Sequence, residues 1–327
     1  MSILVTGGAG FLGSHLLERL YSETSETLIC FDNFNDYYDP AQKHRNLNNL
    51  RNQPRFQLIE GDLCDPTSLK HLFETHPIEH VFHFAACAGV RPSLNNPLLY
   101  ERVNVEGTLH LLQIIRDFPV KRMMFTSSAT VYGSGCIAPF QENGALGEPA
   151  SPYGITKRSA ELHCLLFHKI YQIPVTILRP FSVFGPRLRP DLAISIFASA
   201  IINQRTLPIL GDGTAKRDFT YIDDFINGVV TAWKTKECIG EIINLGHNQP
   251  RQIREVIDIL AEQLGQPARL EYRPPHPGDL PLTCADLNKA QSLFDYRPKV
   301  SLEEGLEHFA RWFCDQSSTD NSNIESP

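Results

Sequence analysis

Tyr153 and Lys157 stand four residues apart in SPYGITKRSA (151–160), one turn of a helix, so both side chains project from the same face. That arrangement suits a phenol tuned by a neighbouring ammonium; it equally suits a surface pair, and the spacing alone does not decide. A second candidate lies at the start of the chain. In LVTGGAGFLGSHLLERL (4–20), Gly7, Gly10 and Gly13 fall directly between an apolar strand and an amphipathic helix. Small residues there let the backbone approach a pyrophosphate, whose charge then sits at the helix N-terminus. A tight turn without a ligand would not require three glycines. Asp32 ends the next apolar run, at about the distance expected of the acid that binds an adenosine ribose. A carboxylate at that place repels a 2′-phosphate, which favours NAD over NADP. Asp62, in EGDLCD, is either a contact for the adenine edge or a turn residue at a strand end. Arg45, Arg51 and Arg55 lie downstream of Asp32, and nothing in the sequence places them at that ribose.

These residues need a scaffold, and the chain supplies a regular one. Short apolar runs at 3–6, 27–31, 56–60, 80–85, 122–127 and 175–179 read as buried strands. Helical patterns at 11–22, 66–75, 98–117 and 153–171 separate them. Alternation of this kind predicts βαβ units with right-handed crossovers: an α/β, doubly wound parallel sheet covered on both faces. After residue 180 the character changes. RPFSVFGPRLRPD (179–191) carries three prolines and three arginines, and an apolar helix follows it at 192–204. We therefore expect a first domain over 1–180 and a smaller, loop-rich second domain over 181–315. The segment 241–246 is expected to return to the first sheet as a strand, and a last helix is expected near 301–314. Residues 316–327 read as a polar, disordered tail.

Composition narrows the classes. The 327 residues are 42% hydrophobic and 20% charged, enough for a sizeable core. A net charge of −7 argues against a general binder of nucleic acid or anionic membrane. No apolar run approaches the roughly 20 residues that span a bilayer, and MSILVTGGAG lacks a basic leader, so a cytoplasmic protein is expected. The eight cysteines are scattered without a C-x-x-C and read as reduced thiols. The histidines lack ligand spacing, so no metal site is expected.

In their order and spacing, the glycine loop, Asp32, SSATVYG (127–133) and Tyr153-x-x-x-Lys157 resemble the extended short-chain dehydrogenase/reductases, and within them the nucleotide-sugar epimerases. The resemblance runs from residue 1 to about 314. It implies a Rossmann-type NAD-binding domain, a smaller α/β domain for a UDP-sugar, and tightly bound NAD. In that chemistry Tyr153 takes the proton of the sugar 4-hydroxyl as hydride passes from C4 to NAD. Lys157 lowers the phenol's pKa and holds the nicotinamide ribose. Ser128 bonds the same sugar oxygen, with Ser127 or Thr130 assisting. The implied cofactor site comprises Gly7, Gly10, Phe11, Leu12, Gly13, Asp32, Asn33, Asp62, Leu63, Ala85, Ala86 and Pro180, together with Tyr153 and Lys157. The implied substrate site comprises Arg91, Ser127, Thr130, Ser182, Arg189, Arg217 and Asp279. A homodimer is implied through helices 98–117 and 153–171, with Leu109, Leu112, Leu162 and Leu166 either pairing there or facing the sheet.

Residues after the fifth strand separate the relatives. Dehydratases of this type carry an Asp-Glu pair after a Thr there, and decarboxylases a Glu beside the Ser; Ser128-Ala129-Thr130 is similar to the epimerase version. GDGTAKRDFTYIDD (211–224) resembles the nucleotide-binding segment, with Arg217 at the diphosphate or ribose and Asp279 of HPGD on the other side. DNFNDYYDP (32–40), the Arg-Pro-Asp of FGPRLRPDLAI (184–194) and His276 before Gly-Asp resemble the enzymes acting on UDP-glucuronate. Arg189 is expected to neutralise the sugar carboxylate, directly or through its position; the alternatives are a contact with the diphosphate or a cap on the Pro-rich turn. Ser182 stands in place of a more usual Thr, and Cys87 in place of a more usual Gln. The expected reaction is 4-epimerisation of UDP-glucuronate to UDP-galacturonate. The alternatives are UDP-glucose/UDP-galactose 4-epimerisation or a UDP-sugar oxidoreduction.

Overall fold

Seven parallel strands form the central sheet of the computed structural model, which describes residues 1–274 and 280–322. In chain order they begin with β1 (Ser2–Thr6), β2 (Thr27–Asp32), β3 (Phe56–Glu60), β4 (Ile78–His83), β5 (Arg122–Thr126) and β6 (Val175–Pro180). The edge strand Ile242–Leu245 lies beside β6, and the spatial order is Ile242–Leu245, β6, β5, β4, β1, β2, β3. Successive side chains of a strand point to opposite faces, and the core divides accordingly. Ile3, Val5, Leu28, Cys30, Phe82 and Met124 pack on one face of the sheet. Leu4, Ile29, Phe31, Val81, Met123 and Phe125 pack on the other. Helices α1 (Phe11–Glu23), α2 (Pro40–Asn46) and α3 (Pro66–Thr75) belong to the first connections. The strand order reverses between β1 and β4, and the carboxyl ends of these two strands open a crevice there.

Two segments differ from the sequence expectation. The helix expected over 98–117 is three joined pieces: Pro97–Tyr100, a π-helical stretch Glu101–Glu106, and Gly107–Asp117. The wide turn brings Asn104 inward, where its amide donates to Cys87 O at 2.9 Å and to Thr156 Oγ1 at 3.0 Å. Those bonds tie the end of β4 to the helix Pro152–Tyr171. The last helix runs over Leu302–Ser322 and so continues through 316–322, residues that read as a disordered tail. Buried Leu306, Phe309 and Ala310 anchor its first turns, and adding turns to an established helix is cheap. Residues 323–327 lie outside the described ones.

Beyond the sheet, Val183–Phe184 pairs with Thr220–Tyr221, Thr206–Leu210 with Arg269–Arg273, and Lys216–Arg217 with Arg251–Gln252. Among the described residues no helix is long and apolar enough to cross a membrane, and no cluster of His, Cys, Asp or Glu could hold a metal. All eight cysteines are free thiols.

Candidate active site

A cavity of about 520 Å³ occupies the crevice. Its floor is the glycine turn. Gly7 adopts φ +68°, and a Cβ there would sit 2.6 Å from Ala85 N. A Cβ on Gly13 would sit 2.3 Å from Gly7 O. The turn therefore closes only without side chains, leaving the N-terminus of α1 open to the cavity beside Gly10, Phe11 and Leu12. Asp32 is buried at the end of β2. Its carboxylate accepts from Ala9 N (3.2 Å), Phe34 N (2.9 Å) and Lys43 Nζ (3.3 Å). Asn33 donates to Asp62 at 3.1 Å, and Cys64 N donates to the other Asp62 oxygen at 2.8 Å. Burial raises the Asp62 carboxyl, but these donors outweigh it and the pKa falls below the usual value. Asp62 is thus a turn residue whose carboxylate also lines the cavity, as do Asn33, Leu63, Ala85, Ala86 and Pro180. Two orphaned hydroxyls, Thr126 Oγ1 and Ser127 Oγ, lie buried without a partner on the cavity wall. A bare glycine cradle, a helix N-terminus, a carboxylate at the end of β2 and hydroxyls lacking partners fit a dinucleotide such as NAD.

Opposite the cradle stands the long helix Pro152–Tyr171. Ser151 caps it, accepting from Gly154 N at 3.1 Å, and Pro152 occupies its first position. Tyr153 falls in the first turn and Lys157 one turn later; both line the cavity with Ser127, Ser128 and Thr130. A Cβ on Gly154 would lie 2.8 Å from Thr130 O, so glycine allows the helix end to approach the turn that carries Ser128. Thr130 donates to Ser128 Oγ from its amide (3.2 Å) and its hydroxyl (3.0 Å).

Burial is the largest influence on both members of this pair. Burial pushes the Tyr153 phenol up, opposed by hydrogen bonding with Ser128 and by the positive charge of Arg189. The Lys157 ammonium is lowered to about 8 by burial, against the pull of Cys164 and Glu161. It lies 4.6 Å from the centroid of the Phe125 ring. Nearby His83 is fully enclosed, with Nδ1 2.7 Å from Thr6 Oγ1 and Nε2 3.0 Å from Thr108 Oγ1. Burial lowers its pKa to about 3, and Lys157 adds to the shift. At neutral pH His83 is therefore uncharged.

Of the expected substrate residues, Ser182, Arg189 and Arg217 line the cavity along with Ser127 and Thr130. Ser182 takes a positive φ of 30°, a strained turn that delivers the following segment to the site. Arg91 does not reach the cavity. Val90 lines it, but Arg91 is turned outward and exposed on the short helix Val90–Asn95. Asp279, and His276 with it, lie outside the described residues. The cavity also holds Asn35, Tyr37, Tyr38 and Lys43, which were not assigned from the sequence. The DNFNDYYDP loop was a visible signal for the first three. Nothing local marks Lys43, whose buried pairing with Asp32 depends on how α2 folds back.

The sequence pattern of the GDP-mannose 4,6 dehydratase family matches residues 4–309. A UDP-glucuronate 4-epimerase from Thermodesulfobacterium geofontis (strain OPF15) is 40% identical over 94% of this chain and 95% of its own. The crystal structure of UDP-glucuronic acid 4-epimerase from Bacillus cereus, in complex with UDP-glucuronic acid and NAD, superposes with a TM-score of 0.91. It is 38% identical and covers 97% of this chain and 100% of that one. A UDP-glucose 4-epimerase from Thermotoga maritima with UDP-glucose has a TM-score of 0.88 at 32% identity, covering 97% and 100%.

Proposed function

This chain belongs to the GDP-mannose 4,6 dehydratase family, of short-chain dehydrogenase/reductase type, and from that premise we propose that it is an NAD-dependent UDP-sugar 4-epimerase acting on UDP-glucuronate. One observation carries the reading: Ser128, Tyr153 and Lys157 line the same cavity as the glycine cradle and Asp32. NAD, when bound, supplies reversible acceptance of hydride at sugar C4. Gly7, Gly10, Gly13 and the N-terminus of α1 hold its diphosphate, Asp32 its adenosine ribose, and Lys157 its nicotinamide ribose. Tyr153 Oη takes the proton of the 4-hydroxyl during oxidation and returns it once the ketone has turned its other face. Ser128 donates to the same oxygen, stabilising charge as it develops.

Dehydratase chemistry of this type needs one carboxylate to take the C5 proton and an acid to protonate the departing C6 hydroxyl. Among the described residues, Asp32 and Asp62 are the carboxylates that line the cavity; Asp32 ends β2 and Asp62 follows β3, whereas Tyr153 stands on the helix that connects β5 to β6, on the other side of β1 and β4 in the sheet order. Among the described residues elimination thus lacks that carboxylate pair, whereas epimerisation needs only the proton exchange assigned to Tyr153. Oxidising C4 of a glucuronate makes a β-keto acid, which loses carbon dioxide readily. Ser127, Ser182 and Arg189 restrain the carboxylate so that the breaking bond is poorly aligned with the ketone.

The test is incubation of the purified protein with individual UDP-sugars, without added NAD, and identification of products by NMR. Appearance of UDP-galacturonate from UDP-glucuronate is expected. Conversion of UDP-glucose to UDP-galactose alone would replace the acid by a neutral sugar. One observation favours that second reading: Arg189 is already paired with Asp191, so the pair carries no net charge. The family resemblance and an exposed apolar stripe on the helix Pro152–Tyr171 support a homodimer.

A further inference from the structure

Arg189 does not meet the cavity as a lone cation. Its Nε donates to Asp191 Oδ1 at 2.9 Å, and its Nη2 donates to Asp191 Oδ2 at 2.6 Å. Tyr37, from the loop after β2, donates its hydroxyl to the same Oδ2 at 3.1 Å. The guanidinium carbon lies 5.5 Å from the centroid of the Tyr37 ring. Three donors thus converge on one carboxylate while the Tyr37 ring lies against the guanidinium, joining parts of the chain 154 residues apart. Arg189 and Tyr37 line the cavity, while Asp191 stands behind them.

The backbone that carries this cluster is pinned on both sides. His15 Nε2 lies 3.0 Å from Pro186 O, and Arg187 Nη2 donates to Glu18 at 2.7 Å. Gln42 reaches Leu188 O at 3.4 Å. Arg187 itself takes a positive φ of 66°, so the segment is held in a conformation that a loose loop would leave. A bidentate guanidinium–carboxylate pair fixes a plane as well as a distance. With Nε and Nη2 committed to Asp191, the remaining edge of the guanidinium is the one available to a ligand.

We propose that Asp191 and Tyr37 are positioning residues that fix the orientation of Arg189 and thereby set the preference for a UDP-sugar bearing a C6 carboxylate. The inference rests on the reading of Arg189 as that carboxylate's partner. Because Asp191 neutralises Arg189, selectivity comes from directed hydrogen bonds rather than from net positive charge. Removing Asp191 has two opposed effects. It unmasks a cation, which would attract any anion, and it releases a long side chain that must then be reordered on binding. Solvent reaches both partners, whose side chains are 17% and 26% exposed, and screening there weakens the gain from unmasked charge. Orientation is the larger effect.

The experiment measures affinity calorimetrically in the NAD-loaded Tyr153→Phe background, where substrate is not consumed. UDP-glucuronate and UDP-glucose are compared for Asp191→Ala, Tyr37→Phe, Arg189→Ala and the Arg189→Ala/Asp191→Ala double variant. Asp191→Ala is expected to weaken UDP-glucuronate about tenfold and UDP-glucose less than twofold. Tyr37→Phe, which removes one exposed hydroxyl, should move the same ratio two- to threefold. In the Arg189→Ala background the Asp191 effect should vanish, a result that general loosening of the fold would not give. Tighter UDP-glucuronate binding in Asp191→Ala, equal weakening of both sugars, or additive effects in the double variant would overturn the clasp. Arg189→Ala discriminating between the sugars while Asp191→Ala does not would remove the clasp alone. Arg189→Ala failing to discriminate would remove the underlying reading of Arg189 and the clasp with it.

Discussion

At Tyr153 a single oxygen carries the proposed chemistry, so Tyr153→Phe is the sharpest substitution available. It deletes the proton acceptor and keeps the ring. General acid–base groups contribute about 10²–10⁴-fold, and turnover should fall by at least that order while UDP-glucuronate affinity changes less than about threefold. Rate assays and calorimetry on one preparation check both; a rate near wild type would end the assignment. A second residue-scale prediction concerns protons that the fold refuses. His83 and His15 are held neutral by burial, with pKa values lowered to about 3 and about 4. Below pH 6.5 the unfolded chain takes up protons that the folded chain does not, so stability is complete above 6.5 and is lost as pH falls towards 4. Each histidine contributes a slope of up to about 1.4 kcal/mol per pH unit. Urea midpoints between pH 7 and 4.5 should show it, and His83→Gln should flatten the slope; an unchanged slope would place the proton uptake elsewhere. The legible residues share a property: their chemistry demands a residue type at a fixed local spacing, as for Tyr153 with Lys157 or the three glycines. The pairing of Lys43 with Asp32 and of Tyr37 with Asp191 was not legible, because the first depends on how α2 folds back and the second joins residues 154 apart.

At the scale of elements, the turn between β1 and α1 and the start of the helix Pro152–Tyr171 fix the geometry. Gly13→Ala would bring a methyl to 2.3 Å from Gly7 O, backbone that has little room to move. The expected outcome is loss of copurifying NAD, read by releasing nucleotide from denatured protein, with overpacking destabilisation of about 1–3 kcal/mol. Normal NAD content in that variant would show that the turn does not cradle the cofactor. Ser151→Ala removes the cap of the helix that carries Tyr153 and Lys157. Caps contribute about 0.5–2 kcal/mol, so the unfolding free energy from urea titration should drop by that amount, and an unchanged value would mean that water replaces the hydroxyl. The strands were legible because buried parallel strands leave short apolar runs bounded by turn residues. The π-helical stretch Glu101–Glu106 was not, since its period differs too little from an α-helix over six residues. What marks it is the inward Asn104, visible only once Cys87 and Thr156 are beside it.

At the scale of the whole molecule, one face of the helix Pro152–Tyr171 is unlike the rest of the surface. Leu162, Leu166 and Ile170 recur every fourth residue, 61%, 48% and 57% exposed. Leu98, on the neighbouring turn Pro97–Tyr100, is 80% exposed. Leu112, which the sequence offered as a pairing position, is fully buried against the sheet and is not part of this face. Its helix Gly107–Asp117 presents Leu111, Leu112, Ile114 and Ile115 inward, which decides between the two readings for that residue. Isolated exposed leucines need no explanation, but a continuous apolar stripe marks a surface that is covered. The occupant we propose is a second copy, whose equivalent helices would close a four-helix bundle by twofold symmetry. Light scattering at micromolar concentration should then give twice the 36.9 kDa chain mass. Leu162→Glu combined with Leu166→Glu should give the single-chain mass with thermal unfolding still cooperative, because these side chains touch no core of their own subunit. A wild-type chain that scatters as 36.9 kDa would refute the dimer, and collapse of the double variant's fold would show that the stripe supports the subunit itself.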